Sequence, residues 1–167
     1  SLHPNQLFLL ATWFPGKERN TLAWEEERMS FARRAIEIDP SFGPAHSVLA
    51  DKLAYLANVD PPSDTAKARE LAAIHARRAI DTASDDATSM FNVSIYYWHA
   101  GDLIQSAIYT RRTLELSPQH LLANFLNEVV PYTCAVTPQR VIDGLVAYDA
   151  ELLPANPIRW VTLTWIA

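Results

Sequence analysis

Apolar residues recur at helical spacing in a series of stretches, each separated from the next by proline, glycine or an aspartate-containing turn. Pro4 and Asn5 open an apolar segment that runs to Phe14, where Pro15-Gly16 breaks it. Asn20 or Thr21 can cap the next helix, whose apolar stripe is Trp24, Phe31, Ala32, Ala35 and Ile36 and which ends at Asp39-Pro40. Ser41 to Ala57 follows, with Ala45, Val48, Leu49, Leu53 and Leu56 on its packing face. After a loop at 58–63, Ser63 or Asp64 caps a long helix ending near Ala83, with Leu71, Ala72, Ala76, Ala79 and Ile80 facing the core. Asp85 or Asp86 opens a further helix, Gly101 supplies a left-handed turn after it, and Asp102 caps its partner, which ends at Ser117-Pro118. Beyond Gln119 the pattern continues. Pro131 kinks or shortens one helix, Thr137-Pro138 starts another over Val141, Ile142, Leu145, Val146, Tyr148 and Leu152, and Asn156-Pro157 starts a last one carrying Trp160, Leu163 and Ile166.

These elements are internally related. Ala32-Arg33-Arg34-Ala35-Ile36 returns as Ala76-Arg77-Arg78-Ala79-Ile80 and, altered, as Thr110-Arg111-Arg112-Thr113-Leu114, at spacings of 44 and 34 residues. Self-similarity at such a period is the mark of a repeat array, in which each unit buries its apolar face only against its neighbours. The units run from about 4 to 40, 41 to 84, 85 to 118 and 119 to 154, with a fifth beginning near 155.

The unit that closes on Arg111-Arg112-Thr113-Leu114-Glu115-Leu116-Ser117-Pro118 resembles a tetratricopeptide repeat, as does Ala35-Ile36-Glu37-Ile38-Asp39-Pro40 followed by Ala45-His46-Ser47-Val48-Leu49-Ala50. The resemblance implies an all-α, right-handed superhelix of stacked helix-turn-helix hairpins. It implies small residues where helices touch, matched by Ala50 and Ser94 at one position and by Ala35 and Ala79 at another, with Tyr97 at a bulky position. The first two units depart from it by about ten extra residues, and Ser84 stands where a closing proline is usual. In the fourth unit, counting back from Pro154 buries Leu126, Val129 and Val130, whereas counting from Pro118 would bury Asn127 and Glu128; the first register avoids a costly buried carboxylate. The long-loop pattern is similar to the C-terminal arrays of bacterial transcriptional activators and class III adenylate cyclases.

Composition narrows the function. A net charge of -5 argues against a general nucleic-acid binder. Cys134 is alone, so no intrachain disulfide can form, and no Cys/His spacing resembles a zinc site. The five histidines lie 21 to 43 residues apart, so none share a helix face. His75 aligns with Phe31 and Tyr109 in the repeat and reads as a packing residue; His46 and Asp51, five apart, are poorly spaced for joint chemistry. The acids Glu25, Glu26 and Glu27 suit a helix start. No apolar run is long enough to span a bilayer, and no signal peptide is evident, so a cytoplasmic location is expected. Both ends read as cut from a larger protein. No cofactor, metal or catalytic residue is expected.

The Arg pairs at 33/34, 77/78 and 111/112 each have an acid four residues after the first Arg (Glu37, Asp81, Glu115) and read as the solvated face of the outer helices. The candidate binding surface is the groove lined by the inner helices. Phe91, Ile95 and Trp98 fall on one stripe of an inner helix, and in this family that stripe lines the concave groove. Asp51, His99, Asn124 and Asn127 are its polar rim candidates. The inner stretches 41–58, 85–100 and 119–134 hold a single basic residue, Lys52, so the groove suits an apolar protein or peptide segment rather than a carboxylate tail. The expected function is a non-catalytic protein–protein interaction scaffold, the sensor part of a larger bacterial regulator. The alternative is a regulatory or dimerisation domain of an absent catalytic domain such as a nucleotide cyclase, and a third reading puts a small ligand in the groove. The apolar face of the last helix also favours a homodimer.

Overall fold

The computed structural model describes residues 2–13, 21–59 and 64–127. Among them are seven helices and no strand: α1 (Pro4–Trp13), α2 (Leu22–Ile38), α3 (Gly43–Val59), α4 (Thr65–Thr82), α5 (Ala87–His99), α6 (Leu103–Leu116) and α7 (121–127). The chain forms two compact units, 1–124 and 125–167, and α1 to α6 belong wholly to the first. The fold of the described residues is all-α.

Four of the helix starts, those of α2, α4, α5 and α6, have a local cause. Thr21 Oγ1 accepts from the Trp24 N–H, and Asp64, Asp86 and Asp102 accept from Lys67, Ser89 and Gln105 at 2.9, 2.7 and 3.0 Å, each satisfying a donor that the first turn leaves without an intrahelical partner. The helix ends repeat one device. The N–H groups of Asp39, Ala83 and Ser117 donate to the carbonyls of Ala35, Ala79 and Thr113, and the N–H groups of Phe42, Asp86 and His120 then donate back to Asp39, Ala83 and Ser117. The same turn thus recurs at the 44- and 34-residue spacings of the Arg-containing signature. Gly101 takes φ +81, the left-handed conformation expected of it, and lets the Asp102 N–H reach the Tyr97 carbonyl.

Packing follows a simple order. Helices consecutive in the chain pair as α1 with α2, α3 with α4 and α5 with α6; α3 also packs on α1 and α5, and α2 and α4 each pack on the helix that follows. Small residues carry the close contacts. Ala32, Ala35, Ala50, Ala72, Ala79, Ser94, Thr110 and Thr113 are all fully buried. One core cluster joins Leu7, Met29, Val48 and Leu49 with Phe8, Phe31 and Phe42 around it. A second joins Ala79, Met90 and Val93, with Tyr97 and Tyr109 stacked at 5.4 Å beside it.

Two expectations are corrected. Leu71 does not face the core but is 40% exposed, because the line of contact on α4 runs through Ala72, Ala76 and Ala79 and leaves Leu71 on its outer edge. The Arg pairs do not bond four residues on; Arg33 pairs with Glu26, and Arg112 pairs with Glu115 while reaching the Ser84 carbonyl. The expectations for Pro15-Gly16, Pro131, Cys134 and the helices after Thr137 and Asn156 lie outside the described residues.

Candidate functional site

Helices α3 and α5 meet along a polar seam. Asn92 Nδ2 on α5 donates to Ser47 Oγ on α3 at 3.0 Å, and the Ser47 hydroxyl donates in turn to the Pro44 carbonyl. Two turns further along, Asn58 Nδ2 donates to the His99 carbonyl at 2.8 Å. Between these bonds lies a buried line of charges. Lys52 Nζ sits 3.0 Å from Asp51 Oδ2 and 3.7 Å from Glu25 Oε1, and Glu25 also receives Arg28 at 3.3 Å. Asp51 Oδ1 makes no hydrogen bond and faces His99 Nε2 at 3.7 Å. Arg28 is held by the Ala11 and Thr12 carbonyls and lies over the Trp24 ring. Arg28, Glu25, Lys52, Asp51 and His99 therefore run in sequence from the end of α1 through α2 and α3 to α5.

Both carboxylates are almost out of water: Glu25 and Asp51 are each 5% exposed. Burial pushes the Glu25 carboxyl above its ordinary value of 4.5; Lys52 and Arg28 oppose this, and Asp51 adds to it. Burial also holds the His99 imidazole below 6.5, against the pull of Asp51 and with the help of Lys52. A buried pair gives little net stability over apolar packing, but breaking it strands a charge.

The sequence-derived groove residues fall into two groups. Asp51 and His99 come together, but not as a rim: Asp51 is buried beneath the seam, and His99 is mostly covered, its ring 5.5 Å from that of Tyr55. Asp51 belongs to the charge line, its carboxylate set against Lys52 and His99. Phe91, Ile95 and Trp98 are half-buried. Phe91 lies against the His120 ring at 4.7 Å, so the segment after α6 covers part of it. Asn124 is exposed and donates to the Pro118 and His120 carbonyls, closing the turn into α7. Asn127 is exposed and Leu126 buried.

Sequence reasoning missed the burial of Glu25, taken with Glu26 and Glu27 as a helix start. A signal was present: Lys52 is the one basic residue on the expected inner stretches, and a cation placed there needs an acid. It also missed a contact between His46 and His75, 29 residues apart in the chain yet 2.7 Å apart in the fold. Among the described residues no group of three His, Cys, Asp or Glu side chains could hold a metal ion, and no helix is long and apolar enough to cross a membrane. No protein-family model matches the chain, and no curated protein matches it.

Proposed function

We propose that this chain is a non-catalytic protein–protein interaction scaffold of tetratricopeptide type, acting in the cytoplasm as part of a larger bacterial regulator. The order of helix pairing, the small residues at matching positions and the turn that recurs after α2, α4 and α6 support the repeat reading. The observation that carries the choice of partner is the fate of Lys52. The one cation on α3 and α5 is held between two carboxylates of its own chain, so the inner surface has none to spare for an acidic tail. Ile95 and Trp98, half-buried on α5, are the apolar anchors left for a partner, and an aromatic anchor with a polar surround is the usual make-up of a binding hot spot. The partner is thus an apolar segment of another protein.

Selection from a displayed peptide library tests this. The chain should select apolar peptides whose affinity changes little with salt, and Trp98→Ala should abolish their binding while leaving the helical circular dichroism intact. Selection of acidic peptides whose affinity falls steeply with salt would overturn it and point instead to the Arg33/Arg34, Arg77/Arg78 and Arg111/Arg112 face.

A further inference from the structure

The second hairpin differs from the third at one contact. In the third, Met90 on α5 is fully buried in the cluster against which Tyr109 of α6 packs. Counting back 44 residues from Met90 gives His46 on α3, and counting back 34 from Tyr109 gives His75 on α4. Where the third hairpin has an apolar and an aromatic residue of one cluster, the second has two imidazoles with Nδ1 atoms 2.7 Å apart and ring centres 5.0 Å apart.

The hydrogen-bond partners determine where the protons are. His46 Nε2 lies 3.1 Å from the Pro40 carbonyl, which can only accept, so His46 carries its hydrogen on Nε2 and presents a bare Nδ1. The hydrogen between the rings then belongs to His75 Nδ1. The pair has a single N–H···N bond, and it ties together the turn after α2, the start of α3 and the middle of α4. One added proton can be accommodated on either ring with the other accepting. Two cannot, because both Nδ1 atoms would then carry hydrogens facing one another at that distance. Even the first proton is unwelcome. The charged groups that act on the pair are Arg78 on α4 and Arg33 on α2, both cations. Neither α1 nor α5 carries Asp, Glu, Lys or Arg; His99 of α5 faces Asp51, and Asp51 and Lys52 of α3 belong to the charge line. His46 is 2% exposed, so solvent offers it little compensation.

We infer that the His46–His75 contact is a proton-operated clasp, closed at neutral pH, weakened by the first proton taken up in acid and broken by the second, which lets α4 loosen from α3. The inference is independent of what the inner surface binds. Burial, His46 and the two arginines lower His75 to about 4 from 6.5, and burial also lowers His46. Folding stability carried by the clasp is therefore present above the unfolded value of 6.5 and is lost as pH falls toward 4.

The test pairs the wild-type chain with His46→Met/His75→Tyr, which places the third hairpin's residues at both positions. Other titrating groups are common to both and cancel in the comparison. A shift of this size corresponds to about 300-fold in proton affinity, reduced to tens of fold by the partial solvent access of His75. Between pH 7 and pH 4 the wild-type folding equilibrium constant should fall by at least about tenfold more than that of the double variant. Parallel pH dependences would overturn the clasp. A second measurement needs no variant: nitrogen-15 shifts of the imidazoles at neutral pH should show His46 protonated at Nε2 and His75 at Nδ1, with His75 resisting protonation far below 6.5. The opposite tautomers, or an ordinary titration of His75, would likewise overturn it.

Discussion

Replacing Lys52 by Met should be among the most damaging single changes to α3. Methionine keeps an unbranched apolar stem as far as Cε and removes the ammonium group. Lys52 is the shared cation of Asp51 at 3.0 Å and Glu25 at 3.7 Å, whose side chains are each 7% exposed. Without it Glu25 retains Arg28 at 3.3 Å, while Asp51 is left with the imidazole of His99 at 3.7 Å. Removing one partner of a buried pair costs about 3–5 kcal/mol. Because Glu25 keeps a second cation and Lys52 itself is 14% exposed, the lower end applies, about 3 kcal/mol. For a chain of this size that lowers the melting temperature by roughly 6–12 °C. The pH dependence gives a sharper reading. Glu25 is already held above its ordinary 4.5 by burial, and loss of Lys52 removes the largest opposing influence. The folded variant then takes up a proton at a higher pH than the unfolded chain does, so acid stabilises it relative to wild type. The deficit measured by thermal circular dichroism should be largest near neutrality and narrow as pH falls toward 5. A deficit below about 1 kcal/mol, or one that widens in acid, would refute the account of a buried charge line.

Ala79→Leu should overpack the contact with Met90 and Val93 and cost about 1–3 kcal/mol, read as a lower urea midpoint with an unchanged slope; an unchanged midpoint would count against the helix contact. Gly43→Ala should also destabilise, by about 1–3 kcal/mol, although alanine is the better helix former by about 1 kcal/mol. Its Cβ would meet the Thr82 hydroxyl and lie 2.8 Å from Ala83 Cβ, so α3 and the end of α4 would have to separate; a raised urea midpoint would show that they can.

Much of the local structure was legible in the sequence because its causes are local. Thr21, Asp64, Asp86 and Asp102 cap helices because a short polar side chain can reach the N–H three residues on whatever surrounds it. Gly101 marks a left-handed turn for a similarly local steric reason. Ala35 and Ala79 could be placed at helix contacts because their recurrence at 44 residues reports equivalent surroundings. What tertiary structure decided are the partners of polar groups, since these depend on which helix lies opposite. Glu25, Glu26 and Glu27 are chemically alike and consecutive, yet Glu25 alone is buried, because only its direction from α2 meets Lys52 on α3. Asp51 has the sequence context of a solvated rim residue and is enclosed by the same lysine. His46 and His75 lie 29 residues apart on different helices; they meet because α3 and α4 pack against each other, and their proton order is set by the Pro40 carbonyl, which fixes one ring's tautomer.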